Sequence, residues 1–119
     1  MTPKEITIRP VEPNDRDEWL RLRKLLWDNT VEPEHLLEMN EIISDPESQL
    51  VLVAAEGNAL IGFLEASIRH FAEDCETDNV GYLEGWYVEP EYRRSGVGRS
   101  LVASAESWAK NCGCVEMAS

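Results

Sequence analysis

Positive charge is scarce in this chain beside negative charge. Eleven lysines and arginines face 23 aspartates and glutamates, a net charge of −12. A surface of that sign repels phosphate backbones, so nucleic acid is not expected as a partner. Cysteine is sparse and odd in number: Cys75, Cys112 and Cys114 make no disulfide framework and read as reduced thiols. Histidine is sparser still. His35 and His70 stand far apart, and Cys112-x-Cys114 has no further ligands at zinc spacing, so no metal is predicted. No apolar run approaches the ~20 residues of a membrane span, and Met1-Thr2-Pro3-Lys4-Glu5 lacks the apolar core of a signal peptide. The expectations are no membrane partner and a cytoplasmic location. Repeats, linkers and low-complexity stretches are also missing, so the 119 residues read as one domain over 1–119. The excess of acid has two readings: solubility, or attraction of a cationic substrate.

What is present is a regular alternation of patterns. Ile6-Thr7-Ile8-Arg9 alternates as a strand and stops at Pro10. Asn14 is placed to cap a helix running to about Trp27, with Trp19, Leu22, Leu25 and Leu26 at helical spacing. Pro33 opens a second helix whose apolar side is His35, Leu36, Met39, Ile42 and Ile43, and Asp45-Pro46 ends it. Leu50–Ala55 is apolar throughout and reads as a strand buried on both faces. Glu56-Gly57-Asn58 is a hairpin turn, and Ala59–Ile68 is the returning strand. A polar loop from Phe71 to Asn79 carries Glu73, Asp74, Glu76 and Asp78. Tyr82–Val88 is a strand, Leu101–Trp108 lies in a helix ended by Asn111 and Gly113, and Val115-Glu116-Met117 starts a last strand. The order is β-α-α-β-β-β-α-β.

Between the Tyr82–Val88 strand and the helix lies Arg93-Arg94-Ser95-Gly96-Val97-Gly98-Arg99. A glycine-rich turn that feeds a helix points several backbone N–H groups at one place, and the helix dipole adds positive potential there. The three arginines concentrate cationic charge at the same turn of an otherwise acidic chain. The pattern has neither the third glycine of the dinucleotide fingerprint nor the Gly-Lys-Ser/Thr of a nucleotide loop. Arg-x-x-Gly-x-Gly, preceded by Val88-Glu89-Pro90-Glu91-Tyr92, resembles the pyrophosphate loop of the GCN5-related N-acetyltransferases. Further stretches are similar to aminoglycoside 6'-N-acetyltransferases within that superfamily: Trp19–Trp27, Ile61–His70, Leu83-Glu84-Gly85 and Cys114–Ser119.

The resemblance implies an α/β (α+β) fold with a mixed, mostly antiparallel sheet flanked by helices, truncated after the fifth strand. The family continues with a helix and two strands, so the domain is expected to be C-terminally incomplete at Ser119, with an unpaired edge that favours a homodimer. It also implies acetyl-coenzyme A as co-substrate and a cationic aminosugar as substrate, acetylated at its 6'-amine to give antibiotic resistance. Trp86, Tyr87 and Val88 would pair their backbone with the pantetheine arm, the Val88 N–H serving the thioester oxygen. Arg93, Arg94, Ser95, Gly96, Val97, Gly98 and Arg99 would surround the pyrophosphate.

Acylation of an amine needs a proton acceptor beside a held substrate. Glu84, in the strand leading to the glycine loop, is the catalytic candidate, holding the ammonium and taking its proton; its other reading is a solvent-facing strand glutamate or one in a structural ion pair. Glu65 on the adjacent strand reads as a second acidic substrate contact or as an exposed strand residue. Trp27 reads as a platform for a sugar ring or as a core residue. The family's further acidic substrate residue, and its general acid for the leaving thiolate, fall past Ser119; Tyr87 and Tyr92 are the candidates here for the second role. Two other functions use the same residues: acetylation of another small amine or a protein amine, and a non-catalytic module that only binds the cofactor.

Overall fold

A computed structural model describes residues 5–70, 79–114 and 117–118. The loop acids Glu73, Asp74, Glu76 and Asp78, together with Cys75 and Val115-Glu116, lie outside the described residues. The elements are β1 (Ile6–Pro10), α1 (Arg16–Leu26), α2 (Glu32–Ile43), β2 (Gln49–Glu56), β3 (Ala59–His70), β4 (Asn79–Val88), α3 (Val97–Asn111) and β5 (Met117–Ala118). They form a five-stranded sheet in the order β1-β2-β3-β4-β5, antiparallel through β4, with β5 parallel to β4. This is the mixed, mostly antiparallel sheet expected, in the expected order.

The sheet is covered on both faces, which is why β2 and β3 are apolar nearly throughout. Val51, Val53, Ala55 and Phe63 face α1 and α2, packing on Trp19, Leu22 and Met39. Leu52, Ala54, Leu64 and Ala66 face α3, packing on Val97, Leu101 and Ala105. The β2–β3 hairpin turns on Gly57 at φ +63°, the positive φ a tight two-residue turn demands.

Three local expectations change. Asn14 does not cap α1: it sits in a 3-10 turn, Pro13–Asp15, where the Asp15 carboxylate accepts from the Glu12 N–H at 2.7 Å. Leu25 is 48 % exposed, because the buried stripe of α1 runs through Trp19, Leu22 and Arg23 instead. Helix α3 starts at Val97, four residues before the apolar run, so half of the glycine loop is its first turn. Arg21 ties α1 to the end of the sheet, donating to Glu18 (2.7 Å), Glu89 (2.6 Å) and the Leu60 carbonyl (3.0 Å). Among the described residues no helix is long and apolar enough to cross a membrane.

Candidate active site

The site is organised by a break in β4. Glu65 pairs with Gly85 and Ala66 pairs with Leu83, so Glu84 is an extra residue, a β-bulge. A bulge sets two residues against one and re-aims a side chain that strict alternation would send to the other face. Glu84 thereby joins the face that carries Glu65 and Ser67. The Ser67 hydroxyl (2.7 Å) and the Arg69 guanidinium (2.8 Å) both donate to its carboxylate.

Beside Glu84 the backbone is bare. A Cβ on Gly85 would stand 2.4 Å from Cζ2 of Trp27, so the indole lies directly over this glycine. Trp27 meets Phe63 edge-on at 6.0 Å, and the Arg23 guanidinium lies 4.8 Å from its ring centroid. The ring is half-buried and also lines a cleft. The cleft measures about 740 Å³ and carries the carboxylates of Glu38, Glu41, Asp45, Glu65 and Glu84 against Arg23 and Arg69.

Glu65 is not an exposed strand residue. It is 4 % exposed, its carboxylate accepts from the Trp19 indole N–H at 2.9 Å, and Arg23 lies 3.5 Å away. Burial raises its pKa to about 7, against the lowering effects of Arg23 and the Trp19 hydrogen bond. It is a bonded part of the cleft wall.

A second cleft, of about 600 Å³, lies where β4 runs into α3. Arg93, Arg94 and Arg99 line it together with Trp86, Tyr87 and Val88, and among the described residues no acid does. The register puts the Val88 N–H on the edge of β4 away from β3. Val88 faces Gly62, while the flanking bond runs from the Glu89 N–H to the Ile61 carbonyl at 2.9 Å. Trp86, two residues back, shares that orientation. Among the described residues β5 pairs with β4 only at Gly81 and Tyr82, well short of this edge.

The two glycines of the loop act differently. Gly96 precedes α3 at φ +90°, a conformation few side chains accept. Gly98 has ordinary φ but lies under Trp86, whose Cζ3 would be 2.9 Å from a Cβ. The first intrahelical bond runs from Ser100 N–H to Gly96 carbonyl at 3.0 Å. The N–H groups of Val97, Gly98 and Arg99 are thus the donors that a helix start leaves over. Arg94 adds a second left-handed residue at φ +71°. These features fit an anion held by backbone N–H groups, attached to an extended arm that pairs along a strand edge.

Not every residue of the loop reaches inward. Arg93 turns back onto the strand, donating to the Val88 carbonyl at 2.8 Å above the Tyr87 ring. The Ser95 hydroxyl donates to the Tyr92 carbonyl, and the Val97 side chain belongs to the core. Tyr87 lines the basic cleft. Tyr92 lines neither cleft: its hydroxyl donates to Glu56 at 3.0 Å, and that carboxylate raises its pKa. Sequence reasoning gave no role to Arg23, Ser67, Arg69 or Gly85. The signals available were the glycine inside a strand, which marks a bulge or a close approach, and the two-residue spacing of positions 65, 67 and 69. Among the described residues no group of three His, Cys, Asp or Glu is suited to hold a metal.

Residues 17–119 match the acetyltransferase (GNAT) family. Aminoglycoside N(6')-acetyltransferase type 1 of Klebsiella aerogenes is 48 % identical over 116 residues, 94 % of this chain and 76 % of the relative. The aminoglycoside antibiotic 6'-N-acetyltransferase of Acinetobacter haemolyticus superposes with a TM-score of 0.84 at 42 % identity, covering 94 % of this chain and 77 % of the other. The aminoglycoside N-acetyltransferase AAC(6')-Iy, solved with the bisubstrate analogue CoA-S-monomethyl-acetylneamine, superposes with a TM-score of 0.86 at 33 % identity, covering 97 % and 79 %.

Proposed function

The chain belongs to the GNAT family of acetyltransferases, and from that premise we propose that it moves the acetyl group of acetyl-coenzyme A to the 6'-amine of an aminoglycoside. One observation carries this reading: two clefts of opposite charge meet at β4. Leu26 and Trp86 line the basic one, and their neighbours Trp27 and Glu84 line the acidic one. A polyanionic cofactor and a polycationic aminosugar need that arrangement, with the reacting groups brought together at the seam.

The basic cleft fits the cofactor through the Val97, Gly98 and Arg99 N–H groups, with Arg94 and Arg99 supplying charge. The Trp86 and Val88 backbone groups on the open edge are the partners for its arm, the Val88 N–H serving the carbonyl oxygen. When bound, acetyl-coenzyme A supplies an acetyl group activated as a thioester.

On the other side of the seam the acids of the cleft hold the cationic sugar, and Trp27 offers it an aromatic wall. Glu65 serves that wall from behind, through Arg23. Glu84 binds the reacting ammonium and takes its proton, freeing the nitrogen lone pair that acylation requires. A cytoplasmic location accompanies this reading, supported by the free thiols of Cys112 and Cys114.

The test is incubation of the purified protein with acetyl-coenzyme A and kanamycin, with the product identified by mass and by NMR of the acetylated position. Acetylation at the 6'-amine is expected. Acetylation of a simple amine or a peptide amine, with kanamycin untouched, would replace this reading with a broader acetyltransferase. Cofactor binding without transfer to any amine would replace it with a non-catalytic module.

A further inference from the structure

We infer that Ser67 and Arg69 are positioning residues for Glu84: both donate to one carboxylate oxygen, Oε1, and so dedicate the other, Oε2, to the amine in the acidic cleft. The Ser67 hydroxyl reaches Oε1 at 2.7 Å and Arg69 Nη2 reaches the same atom at 2.8 Å. Among the described residues Oε2 has no hydrogen-bond partner. The inference rests on the reading of Glu84 as the proton acceptor.

The arrangement follows from the strands. Ser67 and Arg69 are two apart on β3, so their side chains share a face. The bulge turns Glu84 onto that same face, within reach of both. Neither donor is loosely placed. Ser67 is 5 % exposed, so water does not compete for its proton. Arg69 is an exposed side chain, but its guanidinium lies 4.0 Å from the centroid of the Tyr82 ring, which holds it flat beside the strand. A carboxylate gripped at one oxygen by two donors keeps one orientation, and a displacement of about 1 Å at a reacting group costs on the order of a hundredfold in rate.

Arg69 adds a signature that a structural residue would lack. Its charge, with that of Arg23, opposes the binding of a polycation in a cleft whose acids are Glu38, Glu41, Asp45, Glu65 and Glu84. Removing it therefore favours substrate binding while it disorders the proton acceptor, and the two kinetic constants separate.

The experiment measures kcat and KM for kanamycin in the purified protein with saturating acetyl-coenzyme A. Ser67→Ala is expected to lower kcat about tenfold with KM within about twofold of the wild type, and Ser67→Thr to restore it. Arg69→Ala is expected to lower kcat by a similar factor while KM stays level or falls. In a Glu84→Gln background neither substitution should lower kcat further, because the group they position is gone. Wild-type kcat in both single variants overturns the inference, as does a further fall in the Glu84→Gln background. Thermal melting of each variant identifies loss of fold, and Ser67→Thr and Arg69→Ala carry the test if Ser67→Ala does not fold. If the wild type shows no kanamycin-dependent thiol release, the proposed function fails by itself. Positioning is then judged from a crystal structure of Ser67→Ala: a displaced Glu84 carboxylate supports it, and an unmoved one overturns it.

Discussion

Glu65 lies between the Trp19 indole and the Arg23 guanidinium, and burial raises its pKa from 4.5 to about 7. The folded chain therefore binds a proton that the unfolded chain releases between those two values. The stability from this group is fully present below about pH 4.5 and is lost as pH rises through about 7, amounting to about 3 kcal/mol. Urea unfolding at pH 5 and pH 8 reads this directly when wild type and Glu65→Gln are compared. The advantage of the wild type over the variant should shrink as pH rises, and a difference independent of pH would refute the assignment. Among the described residues, Arg23 Nη1 and Nε, the latter being the atom 3.5 Å from Glu65, are buried without hydrogen-bond partners. The wall behind Trp27 is therefore polar, close-packed and costly to disturb.

Among the elements, β4 and the start of α3 do most to define the site. Gly85 lets the Trp27 ring lie on the strand. In Gly85→Val the new Cβ would fall 2.4 Å from Trp27 Cζ2 and 3.1 Å from Leu26 Cδ2. Overpacking of this kind costs about 1–3 kcal/mol, so the melting temperature should drop and KM for kanamycin should rise as the indole is pushed from its place. An unchanged melting temperature would show that the ring does not rest there. At the other end of the strand, Gly96→Val forces a β-branched residue to φ +90°. Calorimetry should then record coenzyme A affinity lowered at least about tenfold. Normal affinity would mean that the turn before α3 is not the anion site.

Much of this was legible from residue order. The apolar run Leu50–Ala55 marks a strand buried on both faces, and the glycine loop marks the helix start, because both signals are local. The bulge was only half legible: Gly85 inside a strand marks a bulge or a close approach, but alternation alone sends Glu84 to the opposite face from Gly85, and only the pairing with β3 places the extra residue. The hydrogen bonds from Ser67 and Arg69 follow from that register and were hidden with it. Arg23 stayed hidden for another reason: a charged residue on a helix face reads as solvated, and here it is 3 % exposed within the buried stripe.

The whole molecule carries −12 charge yet gathers three arginines in one cleft. Its overall field attracts a polycation from a distance and repels a polyanion, while the loop holds the anion only at contact range. Screening acts on the first effect most strongly, since the Debye length falls to about 10 Å at 0.1 M salt. KM for kanamycin should rise with ionic strength by a larger factor than KM for acetyl-coenzyme A, whose loss of local attraction is offset by relief of the overall repulsion. Equal salt dependence for the two would contradict the division of charge between the clefts. The central claim is that the seam between them works through Glu84. The direct test is kcat for kanamycin acetylation by Glu84→Gln, with coenzyme A affinity measured on the same preparation. A fall of about a hundredfold or more in kcat, with cofactor affinity unchanged, is the predicted result; turnover within twofold of the wild type would contradict it.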